Sequence, residues 1–441
     1  MSEPLLVHAL LLLQRVAVTG TQNPGRPDPQ LPPTLGWFVI FTILKMLIVF
    51  TVIMVGVALL TLAERKISAW IQDRHGPNRV GPGGLLQPAA DGLKNIMKEE
   101  TYPAAAFKPL FILAPAMAFV PALLTFAVIP FAAPLPTPWG LVEMVIADLP
   151  IGFLYILAIT SLGVYGIVLA GWSSNNKYSL LGGLRSSAQM VSYEIAMGMS
   201  LIPVILLAGN VHLNTLVLQQ AVMGWNVGLL SIAFFIFLVA AFAETNRLPF
   251  DLPEAESELI AGYHTEYSAM KFSMFFIAEY SNMVTASALM ATLFFGGWDL
   301  PFTLWDNTAP FGALKTLVTL VVFMLKVGFF LFLFMWVRWT LPRFRYDQLM
   351  SLGWKFMLPL ALAYIIVIAG ALLLLDIMGI RPGALHGTVL GALNFLLVIG
   401  IFYLLDRGRL ISPASGRVRR EDLARLRAVA IQRAAAGSHG D

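Results

Sequence analysis

An acidic stretch between two apolar runs carries the residues whose types and spacing could do chemistry. Residues 244–267 read ETNRLPFDLPEAESELIAGYHTEY, with Arg247 as the one basic residue. The acidic residues are Glu244, Asp251, Glu254, Glu256, Glu258 and Glu266. Crowded carboxylates do not all ionise at one pH, so some of their pKa values rise and the group titrates together. The stretch is predicted to exchange protons near neutral pH, with an acidic docking surface for a basic partner as the alternative.

Ionisable residues also lie within or beside the apolar runs. Charges at bilayer depth are costly and mark ion or substrate pathways. Glu194, in QMVSYEIAMGMS, and Glu279, in FFIAEYSNMV, are predicted to carry protons. The other members of this set are Lys45, Glu143, Asp148, Lys315 and Lys326. For any one of these residues, the alternative is a structural salt bridge between helices or a charged end group that reaches the membrane surface.

A basic, Gly-rich segment follows the first apolar run. It contains HGPNRVGPGG, which lacks the G-K-[ST] of a phosphate loop and is interpreted as a turn. Beyond the turn, Leu86, Ala90, Leu93 and Met97 recur at helical spacing, which predicts an amphipathic surface helix near 85–99. Its charged stripe is Asp91, Lys94 and Lys98, and the neighbouring charges are Glu64, Arg65, Lys66, Arg74 and Arg79. A cluster of both signs at the membrane surface indicates an entrance for a polar headgroup, whereas a plain solvated face is the alternative.

The composition excludes several kinds of redox chemistry. The chain has no cysteine, which rules out disulfides, thiolate-bound iron–sulfur clusters and cysteine nucleophiles. Its six histidines are scattered, and none is paired at helical spacing. We therefore expect no metal site, and any electron-transfer centre must lie on another chain.

The elements that position these residues are predicted to be membrane-spanning helices. Of the 441 residues, 58% are apolar and 12% charged, and the mean hydropathy is +0.77. Runs long enough to cross the hydrocarbon core as helices recur nine times, at roughly 35–62, 108–133, 149–172, 190–209, 225–243, 271–295, 313–337, 354–376 and 386–405. The alternation typical of membrane β-barrels is absent. The predicted fold class is therefore all-α, a polytopic transmembrane helical bundle of about nine spans.

The distribution of basic residues predicts the orientation. With nine spans, one side of the membrane collects 23 lysines and arginines, and the other collects only Arg15, Arg26 and Arg381. The positive-inside rule then places the N-terminus outside and the C-terminus inside. Three regions are predicted: an interfacial segment and linker at 1–34, a core at 35–380, and an extra span with an Arg-rich tail at 381–441. The tail is interpreted as a solvated or headgroup-binding segment, with contact to a soluble partner as the alternative.

Five long motifs resemble one known family. They are AERKISAWIQDRHGPNRVGPGGLLQPAADGLK, GWSSNNKYSLLGGLRSSAQMVSYEI, AETNRLPFDLPEAESELIAGYHTEYS, FFIAEYSNM and RWTLPRFRYDQLMSLGWKFMLPL. In this order they closely resemble the H subunit of bacterial NADH–quinone oxidoreductase (respiratory complex I), the counterpart of mitochondrial NADH dehydrogenase subunit 1. The resemblance covers residues 35 to about 378. Because the family core usually has eight spans, the ninth span and the tail are extensions.

The resemblance implies a function that composition alone does not. The protein would form most of a quinone channel, dock the iron–sulfur peripheral arm and begin a path of buried charges towards the antiporter-like subunits, which small membrane subunits connect to it. The implied substrate is ubiquinone or menaquinone, and NADH, FMN and iron–sulfur clusters would lie on partner subunits only. The implied location is the bacterial inner membrane, in contact with lipid and without nucleic acid.

Site residues are carried over by motif. The channel and its entry would use Glu64, Arg65, Arg74, Ala90, Asp91 and Lys94. Proton coupling would use Asp148, Glu194, Glu244, Asp251, Glu254, Glu256, Glu258 and Glu279.

Three other functions compete with this one. A hydrogenase-type complex has a related ion-translocating membrane subunit that need not reduce quinone. A secondary transporter would show inverted repeats, and no clear sequence repeat is found. A purely structural anchor does not account for Glu194 and Glu279 within apolar runs.

Overall fold

The computed structural model describes residues 35–251, 262–301, 303, 305–380 and 383–407. The predicted interfacial segment, the Arg-rich tail beyond residue 407 and the acidic residues Glu254, Glu256 and Glu258 lie outside this part of the chain. The described residues form two compact units, which divide after Gly391. The predicted division at residues 34 and 380 stays a prediction.

Helices dominate the described chain. They are α1 (Leu35–Ile71), α2 (Gln87–Met97), α3 (Lys108–Leu124), α4 (Gly152–Ser173), α5 (Lys177–Ala208), α6 (Leu213–Met223), α7 (Asn226–Leu229), α8 (Ser231–Glu244), α9 (Ala269–Phe294), α10 (Ala313–Thr340), α11 (Tyr346–Ser351), α12 (Leu358–Ile377) and α13 (Ala384–Arg407). Short 3₁₀ turns occupy Pro82–Gly84 and Thr125–Val128, and a π-helical turn at Leu352–Met357 joins α11 to α12. The chain is an all-α polytopic membrane protein, as predicted.

Six helical segments of the described chain are long and apolar enough to cross a membrane. They contain α1, α3, α4, α5 and α10, and the sixth runs continuously from Tyr346 to Ile377. The predicted spans at 225–243, 271–295 and 386–405 coincide with α8, α9 and α13. The total of nine spans stays a prediction.

The helices differ from the predicted spans at several boundaries. Helix α5, which contains the fourth predicted span, begins at Lys177 rather than near 190, because the side chain of Asn176 accepts a hydrogen bond from the backbone of Tyr178 at 3.0 Å and caps the helix. The second span was predicted to reach residue 133, but α3 ends at Leu124 and its 3₁₀ extension at Val128. Prolines at 130, 134 and 136 favour extended backbone there.

A β-hairpin replaces the end of the predicted second span. Strand β1 (Ala132–Thr137) pairs antiparallel with β2 (Gly140–Met144), and Leu135 lies opposite Val142. Thr319 of α10 accepts a hydrogen bond from the backbone of Ala133 at 3.0 Å. The hairpin therefore packs on α10, and these two strands are the exception to the helical architecture of the described chain.

Small residues let the central helices approach closely. A Cβ built on Gly166 of α4 would lie 2.7 Å from the backbone nitrogen of Ala118 on α3, and one on Gly171 would lie 2.6 Å from the carbonyl oxygen of Ser179 on α5. Helices in membranes associate through such contacts, because lipid provides little hydrophobic driving force. A buried core of Phe111, Ala114, Ala118, Ile167, Met190, Tyr263 and Phe275 connects α3, α4, α5 and α9.

Helix α1 lies at the edge of the bundle. Side chains such as Leu44, Ile48 and Val52 remain about half exposed along its length, as expected for a lipid-facing helix. Its 37 residues span about 55 Å, more than the ~30 Å hydrocarbon core. At least one end of α1 therefore reaches beyond the hydrocarbon core.

Candidate functional site

Arg247 lies at the centre of a buried group of charges. Its Nε atom is 2.6 Å from Oε1 of Glu279, and its Nη1 atom is 3.2 Å from Oε2 of Glu64. The side chains of Arg247 and Glu64 are only 3% and 6% exposed. Buried charges are tolerated when each is compensated by a partner at this range.

Two further side chains complete the coordination of Glu64. Arg338 donates to its Oε1 atom through Nη1, and the hydroxyl of Tyr280 donates to Oε2 at 2.5 Å. The guanidinium carbon of Arg247 also lies 4.3 Å from the centre of the Tyr280 ring, in cation–π range. We call Glu64, Arg247, Glu279, Tyr280 and Arg338 the arginine cluster.

The members of the arginine cluster come from four parts of the fold. Glu64 lies on α1, Glu279 and Tyr280 are consecutive on α9, and Arg338 lies in the last turn of α10. Arg247 follows α8 in a turn in which its backbone nitrogen donates to the carbonyl of Phe242 at 3.2 Å. Asn246 adopts a φ of 51°, a left-handed conformation that asparagine accommodates better than most residues.

The arginine cluster borders a cavity of about 310 Å³, which we call the main cavity. It combines aromatic side chains with charged ones, and its lining includes Arg247, Asp251, Tyr263, His264, Phe272, Phe275, Phe276, Glu279, Arg338, Trp339 and Arg343. This size lies at the lower end of the range for small-molecule sites. Within the described residues, Nη2 of Arg247 is buried without a hydrogen-bond partner.

A second, smaller cavity adjoins the first. It has a volume of about 30 Å³, and its lining includes both Glu244 and Glu279. Asn246, Tyr263, Phe275 and Glu279 line both cavities. Glu194, near the middle of α5, is close enough to Glu244 to interact with it electrostatically. The structure thus arranges Glu279, Glu244 and Glu194 in series, starting from the main cavity.

Asp251 is the last described residue before the acidic segment at 252–261. Its Oδ2 atom is 2.9 Å from Nη2 of Arg343, and its side chain is 14% exposed. Burial raises the pKa of the Asp251 carboxyl to about 6, although the positive charge of Arg343 opposes this rise. Asp251 can therefore change charge near neutral pH at the wall of the main cavity.

The predicted entry residues separate into two groups. Arg65 pairs with Asp91 of α2 at 2.6 Å, and Gln87 donates to the same carboxylate at 3.1 Å. Arg74 contacts the nearby Gln72, Lys94 is exposed, and Ala90 is half-buried. Glu64 is instead buried in the arginine cluster.

The predicted surface helix is confirmed as α2, with Leu93, Ile96 and Met97 58%, 68% and 78% exposed.

Asp148 lies apart from the other predicted coupling residues. Its Oδ1 atom is 2.8 Å from Nε2 of His212 and accepts a hydrogen bond from Asn214 at 3.2 Å. Nearby, the ammonium of Lys45 donates to the backbone carbonyls of Glu143 and Val145. Nineteen residues separate Lys45 from Glu64 on α1, a distance of about 28 Å along the helix.

The titratable groups around Asp148 affect one another. The hydrogen bond that His212 donates to Asp148 raises the pKa of His212, since it favours the charged imidazolium. Burial, together with the negative charge of Asp148, raises the pKa of Glu143. This group therefore lies at the opposite end of α1 from the main cavity and has its own titration behaviour.

Sequence reasoning gave no site role to four members of the site: Arg247, Tyr280, Arg338 and Arg343. Arg338 lies at the end of an apolar run, so the rule that intramembrane charges mark functional sites could have identified it. Arg343 follows it after a short break, within one of the quoted motifs. Tyr280 carried no signal of its own, because its role depends on contact with Glu64.

The fold and the site together define a class of protein. It is a polytopic helical membrane protein with a charged and aromatic cavity beside one end of its bundle, from which buried carboxylates lead into the bundle. Within the described residues, no three histidine, cysteine, aspartate or glutamate side chains are grouped as a metal site would require.

Comparison with known proteins identifies the family. Residues 44–369 match the family model described as NADH dehydrogenase. A protein of Cytophaga hutchinsonii, named as an H subunit of NADH-quinone oxidoreductase, is 51% identical over 330 residues, which cover 74% of this chain and 95% of that protein. The H subunit of the Leptospira biflexa enzyme is 54% identical over 72% of this chain and 90% of its own length.

A third relative, subunit 8 of the Rhodothermus marinus NADH-quinone oxidoreductase, is 52% identical over 75% of this chain and 96% of its own length. The chain belongs to the NADH dehydrogenase family and is a membrane subunit of the H type, part of an enzyme complex.

Proposed function

We propose that this chain forms the quinone channel of a proton-pumping NADH–quinone oxidoreductase and couples quinone reduction to proton translocation. Its relatives carry the name of that enzyme, and with no cysteine the chain has no thiolate ligands for an iron–sulfur cluster. Electrons would therefore arrive from clusters on the peripheral-arm subunits, which would also carry NADH and FMN. The substrate would be ubiquinone or menaquinone.

The observation that carries this proposal is the unpaired guanidinium nitrogen of Arg247 beside the main cavity. A buried donor without a partner is costly, and a ligand carbonyl oxygen would satisfy it. The rings of Phe272 and Phe276 offer apolar contact to a flat headgroup in the same cavity. A cyclic ligand with two carbonyl groups matches this combination of aromatic walls and a fixed donor.

Proton coupling would begin at the arginine cluster. Reduction of a quinone places negative charge at its oxygens before protons arrive, and Arg247 would be drawn towards that charge. Its contact with Glu279 would then weaken, so the proton affinity of Glu279 would rise. Glu244 and Glu194 follow Glu279 and would pass the change further into the membrane. Glu254, Glu256 and Glu258 would supply further carboxylates in the acidic segment.

The exposed face of α2 would contact the peripheral arm or the membrane surface. Leu93, Ile96 and Met97 leave an apolar strip uncovered there, and Arg65 with Asp91 provides a polar border. The excess of basic residues on one side of the spans supports an orientation in which this end of the chain would face the cytoplasm of a bacterial inner membrane. Asp148 would then lie near the periplasmic side.

A kinetic comparison tests the quinone site. Phe276→Ala should raise the KM for a short-chain quinone about tenfold, since a bound headgroup would cover the partly exposed Phe276 ring and gain roughly 1.5 kcal/mol. Phe332→Ala, at a half-exposed position on α10, is the matched control and should leave the KM unchanged. Electron transfer from NADH to an artificial acceptor that bypasses quinone should stay normal in both variants. An unchanged quinone KM in Phe276→Ala would contradict the proposal.

The acidic segment is tested separately. Neutralising Glu254 and Glu256 together should abolish quinone-linked proton pumping while the complex still assembles. Full pumping by an assembled double variant would exclude a role for these two carboxylates in coupling.

A further inference from the structure

Gln189 connects both ends of the turn that carries Arg247. It is completely buried on α5, and its amide nitrogen donates to the carbonyls of Ala243 at 2.9 Å and Phe250 at 2.8 Å. A third acceptor, Oδ1 of Asn246, lies 3.4 Å away. A primary amide has two hydrogens, and here they serve two carbonyls that are seven residues apart in the chain.

We propose that Gln189 is a positioning residue for the main cavity: it fixes the 243–250 turn and thereby sets the place of Arg247. This inference rests on the proposed function, because the cavity must bind quinone for the position of Arg247 to matter to catalysis. Gln189 is not among the residues that line the main cavity and would act through the turn.

The turn needs such support because it lacks regular structure. Residues 245–250 follow the end of α8 and contain no helix or strand, yet Thr245, Asn246, Arg247 and Phe250 are all buried. Buried backbone carbonyls require hydrogen-bond donors. The amide of Gln189 provides two such bonds: one to the carbonyl of Ala243, which also accepts from the backbone nitrogen of Asn246 at 3.4 Å, and one to the carbonyl of Phe250, beyond the end of α8.

A second contact from α5 supports the same end of the turn. Tyr193 lies one helical turn after Gln189, and its ring centre is 5.6 Å from that of Phe250. The hydroxyl of Tyr193 donates to the carbonyl of Leu349 at 2.9 Å, which fixes the ring. Gln189 therefore supplies the polar contact and Tyr193 the apolar one, and only the former can be removed without loss of side-chain volume.

Two substitutions at Gln189 separate hydrogen bonding from packing. Gln189→Met keeps the length of the side chain but removes both donors. Loss of two hydrogen bonds should raise the KM for a short-chain quinone by on the order of tenfold, with a smaller change in kcat. Backbone amides of residues 244–251 should also exchange hydrogen faster in the intact complex, a readout that does not depend on quinone.

Gln189→Glu adds a pH-dependent test. Its neutral carboxyl group can donate one hydrogen bond, whereas its ionised form has no donor and lies against carbonyl oxygens. Quinone activity of this variant should fall as pH rises, over a range in which the parent enzyme changes little. Because an ionised carboxyl group at any buried site also costs desolvation energy, the discriminating readout is the quinone KM, which should rise with pH in Gln189→Glu if Gln189 positions Arg247. This variant remains informative if Gln189→Met does not assemble.

The matched control is Gln220 on α6. Gln220 is also buried, and its amide nitrogen donates to the carbonyl of Thr292 at 2.9 Å. Neither Gln220 nor Thr292 is among the residues that line the main cavity. Gln220→Met should lower the thermal stability of the complex without changing the quinone KM or the exchange of residues 244–251.

The outcomes distinguish this inference from the proposed function. Three results would each overturn the role of Gln189. The first is hydrogen exchange of residues 244–251 in Gln189→Met that is no faster than in the parent. The others are a change in quinone KM equal to that of Gln220→Met, and a pH profile of Gln189→Glu like that of the parent. If exchange accelerates but neither Gln189→Met nor Phe276→Ala alters the quinone KM, Gln189 positions the turn and the quinone assignment of the cavity is wrong.

Discussion

Replacing Arg247 with methionine tests whether the arginine cluster is a compensated set of buried charges. The substitution removes the guanidinium that lies 2.6 Å from Glu279 and 3.2 Å from Glu64. Glu64 keeps Arg338 and Tyr280 as partners, so the main cost arises at Glu279, whose side chain is only 11% exposed. Removing one partner of a buried pair costs about 3–5 kcal/mol, because the remaining buried charge loses the cation that lies closest to it.

A second substitution should recover part of that loss. In Arg247→Met combined with Glu279→Gln, the charge left behind is also removed, so the double variant should be more stable than Arg247→Met alone by about 2 kcal/mol or more. The control is Arg65→Met, which breaks the exposed pair with Asp91 and should cost no more than about 1 kcal/mol.

The assay is thermal dissociation of the purified complex, followed by the release of this chain. For a chain of 441 residues, 1 kcal/mol corresponds to roughly 1 °C in the midpoint. Arg247→Met should therefore lower the midpoint by about 3–5 °C, and the double variant by clearly less. A midpoint for Arg247→Met within a degree of the parent, or a double variant no more stable than the single one, would refute compensation as the reason for this arrangement.

Three further predictions follow from single sites. Burial raises the pKa of Asp251 from 3.8 to about 6, so its ionisation lowers the stability of the folded chain as pH rises from about 4 to about 6. Asp251→Asn should remove this loss of stability, about 3 kcal/mol, when thermal stability is measured against pH. A Cβ on Gly182 would lie 2.7 Å from the backbone of Gly262, so Gly182→Ala should destabilise the complex by about 1–3 kcal/mol in thermal dissociation. Gly198→Ala on the same helix should be tolerated in the same assay, because the nearest neighbour of a Cβ there is 3.8 Å away. Finally, His212 has a raised pKa beside Asp148, so the stability that this ion pair contributes is complete below pH 6.5 and is lost as pH rises through the higher folded pKa. The thermal stability of His212→Gln should therefore fall less than that of the parent as pH rises. An equal fall in both proteins would contradict this ion pair.

Helical periodicity and hydropathy predicted most of the fold. The apolar runs correspond to helices because a chain in lipid must satisfy its own backbone hydrogen bonds. The boundaries were less predictable where polar residues continue a helix, as at the start of α5. The hairpin at 132–144 was not predicted, since its apolar residues follow a spanning run without interruption and only its prolines argue against helix.

The candidate site could be predicted in its residue types but not in its grouping. Glu64 and Arg65 are neighbours in sequence, yet Glu64 is buried against Arg247 and Arg65 faces Asp91 on the surface. Successive residues of a helix point about 100° apart, so adjacent charges can belong to different environments. The assignment of both residues to one entry region did not distinguish these two contacts.

The sequence by itself determined that this is a helical membrane protein of the NADH dehydrogenase family, because apolar length, sparse charge and long motifs depend on local order along the chain. Only the tertiary structure decided which charges meet. Glu64 pairs with Arg247, 183 residues away in the chain, and with Arg338, 274 residues away. Such contacts depend on how α1, α9 and α10 pack, and helix packing is set by the shapes of whole faces rather than by any local pattern.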